Sequence, residues 1–150
     1  MTLEPRAIDI PRIPKVLRLY QVMSFVTGSF LLLLVAEVIT KWILGYELEM
    51  GGAYGFIALV PRESVQAFNL STAILIIHGW LYVIYLFSCF RLWSAMRWDA
   101  LNFGILAAGG VIPVLSFFLE GIYTRRVRAF LLKRTASDAA AAAAAEGVSA

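Results

Sequence analysis

The chain has 150 residues, 61% of them apolar, a formal charge of +3 and one cysteine. So apolar a composition leaves few polar side chains to coat a water-facing surface, and an integral membrane protein is expected. The single cysteine, Cys89, excludes an internal disulfide and a multi-cysteine metal site. The modest charge, set beside apolar runs, fits membrane flanks rather than a nucleic-acid patch.

Residues 1–14 read as a basic, proline-rich arm. Pro5, Pro11 and Pro14 oppose a continuous helix, and Arg6, Arg12, Lys15 and Arg18 make this end positive. A membrane domain over residues 15–134 follows, with three spans expected at about 17–44, 68–93 and 98–122. The first is not read as a cleaved signal, because it lies behind a long arm and lacks a small-x-small site before Glu37. Gly28, four residues after Ser24, gives it a small face for close helix packing. Glu37 and Lys41 stand four apart in the order that favours a same-face ion pair. The first connection, from Gly45 to Ala67, is rich in glycine and acid. Its short apolar piece Ala53–Val60 cannot span and reads as a loop dipping toward the interface.

The second span is the centre of the chain. From Ser64 to Phe90 it has no charged residue, and it carries the only histidine, His78, followed by Gly79 and Trp80. Asn69 or Ser71 can cap its start, and Tyr82 and Tyr85 fall on the face of His78. The basic, aromatic turn Arg91–Trp98 leads into the third span. There Gly104 and Ala108 form a second small pair, and Gly109, Gly110 and Pro113 predict a loosened middle. Arg125, Arg126, Arg128, Lys133 and Arg134, interleaved with Val127, Phe130, Leu131 and Leu132, read as a basic amphipathic segment along the headgroups. Residues 135–150, rich in alanine with no face to bury, read as a disordered tail.

Three antiparallel spans bring Glu37, Lys41, His78 and Glu120 into one half of the membrane, as one intramembrane polar cluster. The functional reading of that cluster is a titratable, metal or ligand site, and the structural reading is polar glue that fixes helix register. No spacing supports a metal site, a nucleophile with its base or a phosphate loop, so no catalytic, cofactor-binding or metal-ligating residue is assigned.

The run from Gly28 to Glu37 with Lys41, then His78-Gly79-Trp80-Leu81-Tyr82-Val83-Ile84-Tyr85-Leu86, then Arg97-Trp98, then Pro113 with Glu120, resembles the bacterial, chiefly actinobacterial, membrane proteins grouped as domain of unknown function 3817. The resemblance covers about Leu17–Arg128 and implies a three-helix domain in the plasma membrane, with no established activity. The expectation is an all-α, multi-pass plasma-membrane protein with its N-terminus in the cytoplasm. It is expected to be a non-enzymatic accessory or assembly subunit whose partners are the lipid bilayer and other membrane proteins or itself, and not nucleic acid. An oligomeric transporter or channel component using Glu37, His78 and Glu120 is the alternative, and a membrane enzyme using His78 and Glu120 is the third reading. The positive-inside rule conflicts with three spans, which would put Arg125–Arg134 on the outer side.

Overall fold

The computed structural model describes residues 4–148, with side chains through Glu146. A short 3-10 turn, Ile10–Arg12, leads into helix α1, Ile13–Ile39. Pro14 in the first turn fits there, because its missing N–H has no intrahelical partner to lose and its φ is already helical. Buried residues recur along α1 at Ile13, Val16, Leu17, Tyr20, Ser24, Thr27, Gly28 and Leu31, the stripe expected of a helix packed on one side. A π turn, Thr40–Leu44, extends it, and Gly45 at φ 76° ends it in the left-handed conformation that only glycine adopts freely.

The connection that follows is a sheet, not a dipping loop. Strands β1 (Tyr46–Gly52) and β2 (Gly55–Pro61) form an antiparallel hairpin, and β3 (Phe68–Asn69) pairs with the other edge of β1, giving the order β2-β1-β3. Its amphipathicity is inverted. Glu47 and Glu49 point inward, while the opposite face carries Tyr46, Leu48, Met50, Ile57 and Leu59.

Helix α2, Leu70–Met96, runs antiparallel to α1. Glu37 meets Ser71 at one end, Thr27 donates to the Leu81 carbonyl at 3.3 Å in the middle, and Tyr20 meets Tyr85 further along. Asn69 caps α2, accepting from the Thr72 N–H at 2.8 Å.

The expected third span is absent. Helix α3, Ala100–Ala108, ascends only to the level of Tyr82 and Tyr85, and the chain reverses through Gly109–Val114. Helix α4, Leu115–Val148, then descends antiparallel to α1. Ser116 faces Ser24, Glu120 faces Gln21, and Tyr123 donates back to Asn102 on α3 at 2.9 Å. The all-α architecture of three antiparallel spans is therefore corrected to two long helices, a helical hairpin about half their depth, and a three-stranded sheet. Gly109-Gly110 and Pro113 do more than loosen a helix. Pro113 cannot continue the backbone ladder, and Val114 sits at φ 68°. The core accordingly lies in one half of the molecule, where Tyr20, Tyr85, Cys89, Leu92, Leu106, Leu119 and Val127 pack together.

Two further expectations fail at the C-terminus. The basic stretch Arg125–Arg134 is the continuation of α4, with Val127 buried and Phe130 and Leu131 packed on the core, rather than a separate surface helix. The alanine tail is helical to Val148, because extending an existing helix with the best helix former requires no new nucleus. The first three residues of the arm and the last two of the tail lie outside the described residues.

Candidate functional site

At the end of the α1–α2 pair where the sheet sits, three carboxylates are buried, with Glu37 7%, Glu47 4% and Glu49 2% exposed. Each is held differently. Glu37 accepts from the Ser71 hydroxyl, and Ser71 Oγ accepts the Leu48 N–H at 2.9 Å, so one serine ties α1, α2 and β1 together. Glu47 accepts from Asn69 Nδ2, takes the Lys41 ammonium at 2.7 Å and has Arg62 Nε at 3.8 Å. The Lys41 bond, aided by Asn69 and Arg62, holds the Glu47 carboxyl below its ordinary pKa against the opposing effect of burial. Glu49 accepts the backbone N–H groups of Gln66 and Ala67, pinning the chain that leads into β3. These acids explain the inverted sheet: apart from the buried Val60 beside Glu47, its inner face is fastened by polar bonds.

The expected Glu37–Lys41 pair does not form. The π turn beginning at Thr40 departs from the spacing that an i,i+4 pair requires, and Glu47 comes from β1 to take the lysine instead. A cleft of about 220 Å³ opens between the end of α1 and the start of α2, lined by Leu34, Glu37, Val38, Lys41, Trp42, Ser71, Thr72 and Leu75.

Glu120 is elsewhere. It accepts from Gln21 Nε2 and Thr124 Oγ1, both at 2.9 Å. Gln21 lies 16 residues before Glu37 on one helix, about 24 Å along the axis at 1.5 Å per residue. Glu37 and Glu120 thus occupy opposite ends of the molecule, and the expected single cluster is split in two. The cause is the reversal at Gly109–Val114, which turns Glu120 back toward the end where α1 begins.

His78 lies between them, on the buried stripe of α2 and 9% exposed. Its ring stacks on Tyr82 at 6.4 Å and 11°, and among the described residues its Nδ1 has no hydrogen-bond partner and no carboxylate reaches it. The stack continues through Tyr85 to Tyr20, with centroids 6.3 and 6.2 Å apart. Tyr85 and Tyr82 donate to the Leu106 and Ala107 carbonyls at 2.6 and 3.3 Å, satisfying the end of α3 beside the reversal.

Of the glycines singled out for packing, Gly28 acts as expected. A Cβ there would meet Ser116 Oγ at 2.2 Å. Gly79 and Gly104 face open space, Ala108 is half-buried, and Pro113 is exposed at the reversal. Glu47, Glu49, Ser71 and Gln21 were missed as site residues. The alternation in Tyr46–Met50 was the available signal for the first two. Among the described residues, no three His, Cys, Asp or Glu side chains gather as a metal site.

Residues 17–125 match the family described as Domain of unknown function (DUF3817), and the chain belongs to that family. It is similar to uncharacterized proteins of Mycobacterium tuberculosis and Mycobacterium bovis, each 28% identical over 124 residues, covering 82% of this chain and 85% of theirs. It is also similar to an uncharacterized protein of Mycobacterium leprae, 24% identical over 110 residues, covering 73% of this chain and 72% of the other. No solved structure matches the chain. Two of its helices, Ile10–Leu44 with the π turn included and Leu70–Met96, are long and apolar enough to cross a membrane.

Proposed function

We propose that this chain is a non-enzymatic subunit of the plasma membrane that assembles with another membrane protein through the outer face of its sheet. The observation that carries the reading is the sheet's inverted polarity. Ile57, Leu59 and Phe68 are 56%, 59% and 55% exposed, on a sheet whose β2 edge pairs with no further strand among the described residues. An exposed apolar sheet face beside a free edge is a surface that partner chains pair with.

The membrane topology proposed is two full spans, α1 and α2, with α3–α4 entering and leaving from one side as a half-depth hairpin. Charge supports it. The arm, the start of α1 with Lys15 and Arg18, the Arg91–Arg97 turn and the Arg125–Arg134 stretch all lie at one end and hold eleven of the 13 Lys and Arg, leaving Lys41 and Arg62 at the sheet end. With that end cytoplasmic, the positive-inside rule is satisfied. The transporter alternative and the membrane-enzyme reading drew on a polar cluster that included Glu120, and its separation from Glu37 and His78 removes their motive.

Pull-down of the full chain in mild detergent, read by mass spectrometry, tests the assembly. A stable heteromeric partner that Leu59→Lys releases is the expected result, and a purely homo-oligomeric sample overturns it. Cysteine labelling at introduced positions 7, 54 and 137, in a Cys89→Ser background, tests the topology. Positions 7 and 137 should label from one side and 54 from the other, and opposite sides for 7 and 137 would refute the hairpin.

A further inference from the structure

The end where α1 begins carries a cleft that the assembly reading does not use. It is about 170 Å³ in volume, lies between the start of α1 and the end of α2, and is lined by Asp9, Arg12, Val16, Phe90, Arg91 and Ser94 among others. The Arg12 N–H donates to the Asp9 carbonyl at 2.9 Å, so both residues share one turn. Neither guanidinium has an ion-pair or hydrogen-bond partner among the described residues, and the Ser94 hydroxyl has none either. Arg91 rests instead on the Phe87 ring, 5.8 Å from its centroid. Phe87 is 56% exposed on the outer surface of α2, which faces lipid in the membrane reading above. A cation there without an anion is costly, and a phosphate would be held by charge-assisted, bidentate bonds.

The order of groups with depth says which phosphate fits. Depth increases with residue number along α1 and decreases with it along α2. Asp9 and Arg12 lie outermost, and Val16 is one turn deeper than Arg12. On α2, Phe90 lies one turn deeper than Ser94, and Phe87 one turn deeper than Arg91. Val83 and Ile84 continue the exposed apolar strip by another turn. At 3.6 residues per turn, Ser94, Arg91, Phe90, Phe87, Ile84 and Val83 all fall within about a third of the helix circumference. Polar head, phosphate anchor and apolar path follow one another in the order of a phospholipid, and a soluble phosphate would leave the strip unused.

Charge selects among phospholipids. Two arginines against one aspartate leave one net positive charge in the lining, which a single phosphodiester neutralises. A zwitterionic lipid leaves that charge uncompensated, and a phosphate monoester sets a second negative charge beside Asp9. The Asp9 carboxylate at the outer rim suits an uncharged head whose hydroxyls donate. We propose that this cleft binds an anionic phospholipid of the phosphatidylglycerol type, its phosphate on Arg12, Arg91 and the Ser94 hydroxyl and an acyl chain along Phe90 and Phe87. The assignment rests on the membrane reading, which the cysteine labelling tests separately.

The test uses the full chain in micelles of an uncharged detergent, titrated with short-chain phosphatidylglycerol, phosphatidylcholine, phosphatidylethanolamine or soluble glycerol phosphate, with thermal stability and native mass spectrometry as readouts. Saturable stabilisation by phosphatidylglycerol is expected, with apparent affinity about tenfold or more above either zwitterionic lipid. Arg12→Gln with Arg91→Gln should abolish that preference. Arg125→Gln with Arg128→Gln removes the same charge from exposed positions on α4 outside the cleft and should keep it. Ser94→Asp, at an exposed position, places a carboxylate in the phosphate site and should weaken phosphatidylglycerol binding even if the arginine variant does not fold. Equal response to phosphatidylglycerol and the zwitterionic lipids, an unchanged preference in the cleft variants, or an equal loss in the α4 variant overturns the proposal. Glycerol phosphate acting as well as the lipid overturns the lipid assignment.

Discussion

Gly28→Ala probes the seam that sets the depth of the hairpin. A Cβ at Gly28 would stand 2.2 Å from Ser116 Oγ and 3.1 Å from the Phe117 ring, where ordinary contact is 3.4–4 Å. Ser116 is fully buried and its carbonyl accepts the Ser24 hydroxyl at 2.9 Å, so α4 cannot retreat by the missing ångström without stretching that bond. Overpacking of this kind costs about 1–3 kcal/mol. Weakening the Ser24 bond adds about 0.6 kcal/mol on the scale of interhelical bonds in membranes. Alanine's better helix propensity returns about 0.8–1 kcal/mol. The expected net loss is about 1–3 kcal/mol, summed from these. The Ser116 hydroxyl has no hydrogen-bond partner among the described residues, so Ser116→Ala removes the clashing atom without breaking a bond and should be neutral or slightly stabilising. The double variant should therefore recover most of the loss. Unfolding of wild type, both single variants and the double variant in one detergent measures the coupling. Losses that add within about 0.5 kcal/mol would mean that residues 28 and 116 do not touch, and the hairpin would not be seated at mid-helix.

Gly104→Ala is the matched control: its Cβ meets nothing within 4 Å, so about 0.5–1 kcal/mol of stabilisation is expected in the same unfolding assay. Tyr85→Phe removes a 2.6 Å bond to the Leu106 carbonyl, which keeps the Gly109 N–H, so a loss near the lower end of about 1–3 kcal/mol should appear in thermal melts. Because pairing depresses the Glu47 pKa in the folded state, its contribution is complete above the ordinary carboxylate range and is lost as pH falls through the depressed value. Glu47→Gln should lower stability at neutral pH and flatten the acid limb of a stability–pH curve, and an unchanged acid limb would show that Lys41 does not bind it. His78→Leu takes away an Nδ1 that has no partner among the described residues and should leave stability unchanged or raised, whereas a loss above about 1 kcal/mol would reveal a partner for the ring.

The two long helices were legible because their signal is simple: uninterrupted apolar runs, a capping Asn69 and small residues at the Gly28 seam. The sheet was harder to read for a definite reason. Tyr46-Glu47-Leu48-Glu49-Met50 alternates with the period of a strand, but its acids lie inside and its apolar residues outside, so the usual inference from alternation to a buried apolar face misleads. The Glu37–Lys41 pair looked sound on helical spacing, yet spacing is silent about a third party. Glu47 competes from a strand, and the π turn that contains Lys41 alters the register of the pair. The alanine tail went the other way: composition says what cannot be buried, not whether a helix already nucleated upstream continues into it.

The hairpin resolves the one conflict the sequence carried within itself. Apolar length alone makes residues 98–122 a span, while the distribution of arginines denies it, since a third crossing would export Arg125, Arg126 and Arg128. Gly109-Gly110 with Pro113 decides between them. A kink would leave α4 continuing outward, with Glu120 near Glu37. A reversal returns α4 along α1, puts Glu120 against Gln21 at 2.9 Å and restores the basic residues to one end. Reversal in a water-poor interior requires that the interrupted carbonyls find donors, and α2 supplies them as Tyr82 and Tyr85, one turn and two turns after His78. The tyrosines that looked like companions of the histidine are thus the docking points of the hairpin, and His78 marks the level above which α1 and α2 continue without it.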